Sequence, residues 1–468
     1  MFEVAQLIAG AWEPGRSAHR LTVVGPADGH PVTTVTLSSD EDVAAAVSAA
    51  REAAPAWART APGARGAALH AAAEAVDAAA GELAEIMSSE MGKPVGEARD
   101  SVAAGVGTLH QYAELGPTHR GRTLAGNYDA VDLMAYGPRG VVAVITPWND
   151  PVAVACGLLG AALVTGNTVV HKPSERTPAT GWRLASLLAP HFPDGVLNLV
   201  NGGGAAGAAL AASPVDVVAQ VGSTATGRSI AAACARTGAK ALLENGGSDP
   251  LIVDAGVDPV WAASQAALGS FANSGQICVA VERIYVHRTV AEPFLAALTA
   301  EASAWSEKIG PLVDRRLRDT VDDQVQHALK DGATALCGGA VPPGPGAFYP
   351  PTVLCGCTDE MAVMREETFG PVAPVMTVDS FDEALTRAAD SPYGLAATVL
   401  TRSMSHAQQA WRDLPTGTVK INAVFGGAPG GAAHPRRGSG QGYGYGPELL
   451  DEMTVAKAVH LQAPPSGW

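Results

Sequence analysis

Gly140-Val-Val-Ala-Val-Ile-Thr-Pro-Trp-Asn149 opens the stretch that decides the fold, and Leu243-Glu244-Asn245-Gly-Gly247 closes it. Between them, short apolar runs alternate with helical ones. Residues 141–146, 168–171, 196–200, 215–221 and 241–243 read as strands, rich in Val and Leu and without a polar face. Residues 152–163, 179–188, 205–211 and 226–236 read as helices. Strands apolar on both faces and alternating with helices predict an α/β fold built on a doubly wound, Rossmann-like parallel sheet. Ligands of such sheets sit outside the carboxyl ends of the strands. Asn149, Lys172, Glu175, Gly222, Ser223 and Glu244 all fall at those ends.

Residues 40–115, upstream, read as helices. Ser39 followed by Asp40-Glu41-Asp42 is a capping signal, and Met91-Gly92-Lys93-Pro94 is a stop. Between 120 and 138 the texture changes to a β-hairpin with a Gly126-Asn127 turn. Downstream, roughly 250–422 mixes helices (259–271, 290–303, 315–330) with strands (283–287, 372–378, 397–400), and 454–461 reads as a final strand.

The 468 residues carry 31 basic and 46 acidic side chains, a formal charge of −15, with no basic block. A nucleic-acid groove is not expected. Apolar types make up 47% and charged types only 16%, which excludes a disordered chain. Residues 151–171 are apolar but hold Pro, Gly and Asn, so no membrane span is expected. Met1-Phe2-Glu3 does not open a secretion signal, and a cytoplasmic protein is expected. Cys355-Gly-Cys357 lacks the spacing of a zinc site, and no metal is expected.

Taken singly, the polar motifs are weak. Gly222-Ser-Thr-Ala-Thr-Gly227 between a strand and a helix suits a pyrophosphate, or is a plain turn. Cys278 in Asn273-Ser-Gly-Gln-Ile-Cys278 is a nucleophile or a small core residue. Taken in order, they resemble the aldehyde dehydrogenase superfamily over essentially the whole chain. The resemblance rests on Gly140 to Asn149, Gly166-Asn-Thr-Val-Val-His-Lys172-Pro-Ser-Glu175, Leu243-Glu244-x-Gly-Gly-x-x-Pro250, Phe271 to Cys278 with Arg283, and Glu366-Glu367-Thr-Phe369-Gly-Pro-Val372.

The resemblance implies NAD-dependent oxidation of an aldehyde to a carboxylic acid, with NADP as a possible substitute. Cys278 would form a thiohemiacetal and then a thioester. Asn149 and the Cys278 amide would hold the oxyanion, and Glu244 would activate the hydrolytic water. Lys172 and Glu175 would face the adenosine ribose, with Glu175 disfavouring a 2′-phosphate. Gly222, Ser223 and Trp148 would line the pyrophosphate and nicotinamide side. Glu367 would hold the nicotinamide ribose, and Phe369 would pack near the ring. Two rival readings are a coenzyme-A-acylating relative and a cofactor-binding homologue without turnover. Glu244 argues against the first, and the full set Cys278, Glu244 and Asn149 against the second.

The family's organisation implies a cofactor domain (1–119 and 139–246), a catalytic domain (247–445) and an arm (120–138 and 446–468) that makes a homodimer or homotetramer. By the same alignment Asp150, Ala153, Gly157, Ala272, Ile277 and Val279 line the aldehyde tunnel. Their small size predicts a wide tunnel for bulky or long-chain aldehydes. Asp150 is expected to cap the helix that begins at Pro151. Two departures stand out: Asn245 replaces an apolar residue, and the usual Gly-rich loop is spread over Pro429-Gly-Gly and His434-Pro-Arg-Arg-Gly-Ser439-Gly440.

Overall fold

The computed structural model describes residues 1–426 and 434–464. Its first large sheet has eight strands, in the spatial order Gly440–Gln441, Lys240–Glu244, Val217–Val221, Val141–Ile145, Thr168–Lys172, Leu197–Leu199, Gln6–Ile8 and Ala11–Glu13. The five central strands are parallel, as expected, and the outer ones run antiparallel. The two-residue side-chain alternation of a strand explains why their sequences look uniformly apolar. Val142, Val144, Val169 and Val217 pack into one core, while Val141, Ala143, Val170 and Val218 pack into another on the opposite face.

From Val141–Ile145 the chain first winds to one side of the sheet and then returns to the other. The order therefore reverses between Val141–Ile145 and its neighbour Val217–Val221. A crevice opens at such a reversal, and the residues that follow these two strands are Thr146 to Asn149 and Gly222-Ser223.

The helices Asp40–Arg59, Pro62–Ala78, Ala80–Met91 and Val95–Thr118 occupy the expected helical run. Ser39 and Asp42 form the capping box, and Gly92 ends the third helix in a left-handed conformation (φ 85°). The second sheet has seven strands, ordered Thr334–Cys337, Thr352–Cys355, Val372–Val378, Val281–His287, Asp249–Val253, Ala396–Leu400 and Thr418–Ile421. All of its pairs are parallel except the first. The arm is a separate sheet in which Ala130–Pro138 lies between Thr454–Gln462 and Arg122–Leu124.

The structure differs from the sequence reading in several places, among them a small sheet of Phe2–Val4, Pro31–Thr36 and Arg20–Val24 where no strands were assigned. Gln6–Ile8 and Ala11–Glu13 extend the first sheet, where no strands were assigned. Gly440–Gln441, placed with residues 247–445, instead pairs with Leu243 and Glu244 and covers that edge of the first sheet. Among the described residues, no helix is long and apolar enough to cross a membrane.

Candidate active site

The helix Pro259–Phe271 ends in a tight turn, Ala272–Gly275, where Asn273 (φ 48°) and Ser274 (φ 57°) are left-handed. Side chains cost such residues free energy, so the turn needs outside support. Glu97 accepts the Asn273 N–H at 2.8 Å, and Ser274 Oγ donates to Gly310 O at 2.8 Å. Asn273 Nδ2 donates to Gln276 O (3.0 Å) and Asn149 O (3.3 Å). Gln276 Oε1 accepts the Val313 N–H at 2.8 Å. This scaffold fixes the segment that carries Cys278.

The Cys278 thiol donates to Glu244 Oε1 at 3.7 Å, bringing the turn before Val281–His287 against the last residue of Lys240–Glu244. Asn149 is buried and its Nδ2 donates to Gln276 O at 3.1 Å, which leaves the second amide hydrogen for a ligand. Burial pushes the Cys278 thiol well above its usual range, and the carboxylates of Glu244, Asp249, Glu367 and Asp150 push it further. Burial also raises Glu244. The contact offers the thiol proton an acceptor, and burial makes that acceptor more basic than an ordinary carboxylate. Gly444 packs against that carboxylate: a Cβ there would lie 2.7 Å from Glu244 Oε2.

The expected cofactor residues divide between two ends of the crevice. Lys172 is buried, donates to Pro173 O (2.7 Å) and Gly202 O (2.8 Å), and is lowered to about 8 by burial. Glu175 is exposed beside Gly203. Gly222 N–H donates to Glu244 O at 3.0 Å, so the turn after Val217–Val221 is tied to the strand of the base. Ser223 caps the helix Thr224–Thr237 by accepting the Thr226 N–H. Toward the nucleophile, Glu367 accepts the Gly247 N–H at 3.1 Å, and burial pushes it up to about 7. Gly246 has no room for a Cβ beside that carboxylate. Trp148 and Phe369 stack edge to face with centroids 5.5 Å apart. Phe369 has a φ of 55°, and its turn is held by Glu282, which accepts the N–H groups of Thr368 (3.0 Å) and Phe369 (2.9 Å). A helix N-terminus, a glycine turn and a carboxylate at each end match the charge pattern of a nicotinamide dinucleotide.

The tunnel residues need one correction. Asp150 stands at the N-cap position of Pro151–Val164, but its side chain does not cap that helix. Its Oδ1 accepts from Ser101 Oγ and lies 3.6 Å from Lys93 Nζ. These partners on and just before Val95–Thr118 outcompete a cap. Ala153 is half-buried and Gly157 buried on the same helix, and Ala272, Ile277 and Val279 are half-buried around the nucleophile. Gly157 does not face empty space. A Cβ there would lie 3.8 Å from the Tyr445 ring and 4.0 Å from Thr108 Cγ2.

The sequence reading missed Lys93, Glu97, Thr108 and Tyr445. It also missed Asp249, which is buried and pushed up to about 8, and whose Oδ1 accepts the Ala396 N–H at 3.0 Å. Asn245 donates from its backbone to Ser439 O (2.8 Å) and from Nδ2 to Gly438 O (3.1 Å), fastening the base to the spread C-terminal loop. The Pro429-Gly-Gly part of that loop lies outside the described residues.

A thiol on a carboxylate, a buried amide bonded to the Gln276 carbonyl two residues before that thiol, and a doubly wound sheet with a glycine turn at its point of reversal fit an oxidoreductase with a covalent intermediate. The aldehyde dehydrogenase family profile matches residues 12–459, and the chain belongs to that family, enzymes that oxidise an aldehyde to a carboxylic acid. It is 35% identical to a hydroxyisobutyraldehyde dehydrogenase of Mycolicibacterium austroafricanum, over 98% of this chain and 94% of that one. It is also 35% identical to a mitochondrial aldehyde dehydrogenase of Leishmania tarentolae, over 97% of this chain and 94% of the relative. The solved structure of an NAD-dependent aldehyde dehydrogenase from Sinorhizobium meliloti superposes with a TM-score of 0.96 at 34% identity, covering 100% of this chain and 96% of that one.

Proposed function

We propose that this chain oxidises aldehydes with NAD+ through Cys278, Glu244 and Asn149. The observation that carries the reading is the Cys278–Glu244 contact at 3.7 Å. The thiol gives its proton to Glu244 as sulfur bonds to the carbonyl carbon and the carbonyl π pair moves to oxygen. That oxyanion needs fixed donors, which the free Asn149 amide hydrogen and the Cys278 N–H provide. Bound NAD+ supplies the hydride acceptor. Cys278 then carries a thioester, and Glu244, having lost its proton to solvent, removes one from water. The hydroxide adds to the acyl carbon, the C–S bond breaks, and the acid leaves.

Lys172, Glu175, Gly222 and Ser223 would hold the adenosine and pyrophosphate end, and Trp148, Glu367 and Phe369 the nicotinamide end. The exposed Glu175 carboxylate favours NAD over NADP by repelling a 2′-phosphate. The first sheet serves as the cofactor layer and the second as the catalytic one. The six free thiols suit a reducing, cytoplasmic setting. The arm sheet of 122–138 and 454–462, largely exposed, suits a homodimer or homotetramer.

Rapid mixing of Glu244→Gln with NAD+ and heptanal tests the reading. Because Glu244 takes a proton in both steps, the NADH burst and the steady rate should both slow, turnover by ~10²–10⁴-fold. A full, fast burst of one NADH per Cys278 before slow turnover confines Glu244 to the hydrolytic step. A normal steady rate removes Glu244 from the mechanism. Turnover that requires coenzyme A assigns the acylating reaction instead.

A further inference from the structure

The polar groups along Val95–Thr118 and Pro151–Val164 have a directional character. Val95–Thr118 and Pro151–Val164 pack side by side, with Gly105 close enough that a Cβ would lie 3.4 Å from Ala153 Cα. Two contacts bridge them at the same interval: Ser101 with Asp150, and, seven residues further along both helices, Thr108 beside Gly157. Tyr445 completes the second contact. It directly follows Gly444, which packs on the Glu244 carboxylate, and its half-buried ring lies against Gly157.

The hydrogen bonds fix which groups remain free. Thr108 has one hydroxyl proton, and its Oγ1 donates to Ala104 O at 2.9 Å. The 2.7 Å contact between Thr108 Oγ1 and Tyr445 Oη then requires Tyr445 to donate. With its only proton used, the phenol oxygen offers lone pairs alone. Tyr112 holds this arrangement: its ring meets that of Tyr445 edge to face at 6.4 Å, and its hydroxyl donates to Gly446 O at 3.2 Å. Asp150 behaves alike. Both of its contacts fall on Oδ1, and Oδ2 takes no hydrogen bond among the described residues. Lys93 offsets its charge, so these groups together are rich in acceptors without being strongly anionic.

Resting on the proposed aldehyde oxidation, we infer that Tyr445, oriented by Thr108, selects neutral aldehydes bearing a hydroxyl donor remote from the carbonyl. A hydroxyl satisfies the phenol oxygen, whereas an ether, a ketone or a carboxylate presents another acceptor to it. The expectation of a wide tunnel with one carboxylate, Asp150, drew only on Pro151–Val164 and the neighbours of Cys278.

The test compares kcat/KM for 6-hydroxyhexanal, 6-methoxyhexanal and 6-aminohexanal, with heptanal as the parent. Wild type should favour the hydroxy over the methoxy compound by roughly tenfold, mainly through KM. Tyr445→Phe should bring that ratio close to one by weakening the hydroxy substrate. Thr108→Val should bring it down the opposite way: it frees the phenol proton, so the methoxy substrate gains. A purely structural loss cannot produce that gain. A wild-type ratio near one, a ratio unchanged in both variants, or a preference for the amino compound overturns the selection. Failure of wild type to oxidise even heptanal overturns the aldehyde-oxidation reading itself.

Discussion

Two buried glutamates in this molecule have opposite surroundings. Glu90, at the end of the helix Ala80–Met91, accepts four hydrogen bonds: from Thr33 Oγ1, Ala179 N, Thr180 N and Thr180 Oγ1, at 2.8–2.9 Å. It caps the neighbouring helix Pro178–Leu188 from outside, and burial pushes it up to about 7 despite those donors. Glu244 is also raised by burial, yet among the described residues its carboxylate accepts only one weak donor, the Cys278 thiol. Saturation with fixed donors makes a carboxylate a structural cap. A carboxylate left nearly bare beside a thiol keeps its lone pairs for proton transfer.

Breaking the proton partner should have the largest effect. Cys278→Ala should abolish NADH formation while NAD+ binding, followed by calorimetry, persists. Alanine at Cys156, Cys234, Cys337, Cys355 or Cys357 should leave kcat/KM within several-fold. Next comes the contrast itself. Glu90→Gln turns an amide donor toward groups that are themselves donors, so unfolding by denaturant should cost about 1–3 kcal/mol less than in wild type. Its kcat per folded molecule should stay close to wild type. Glu244→Gln should show the reverse, with nearly normal stability and little turnover. Equal loss of stability in the two variants would erase the distinction.

The pH dependence sharpens it further. Glu244 works ionised and its pKa is raised, so kcat/KM should fall with decreasing pH on a limb lying above the ordinary carboxylate range near 4.5. Glu244→Gln should lose that limb, and a limb unchanged in the variant would assign it to another group. The smallest effect concerns the far end of the crevice. Glu175→Gln should narrow the preference for NAD over NADP by a few-fold in kcat/KM, and a wild type that prefers NADP contradicts the assigned role.

The order of strands around Asn149, Lys172, Gly222 and Glu244 was legible because each residue ends a locally recognisable strand. Cys278, weak on its own, was legible only through the family resemblance carried by the contiguous run Phe271 to Cys278. The wall formed by Thr108 and Tyr445 was not, because the two hydroxyls lie 337 positions apart and neither sits in a recognisable motif. Asp150 shows a second limit. Its backbone position was foreseen, but the rotamer was decided by Ser101 and Lys93, about fifty residues away in the chain. The strands Gln6–Ile8 and Ala11–Glu13 escaped notice because three-residue strands carry too little periodicity to read.

The pairing of Gly440–Gln441 with Leu243 and Glu244 has a consequence for synthesis. A growing chain exposes the strand Lys240–Glu244 roughly two hundred residues before the segment that covers its edge has been made. At typical elongation rates that delay is about 10–40 s. During it, the nascent chain carries an open sheet edge next to the residue that will become its base. Ribosome-bound chains halted before residue 440 should therefore be the species most dependent on a holdase.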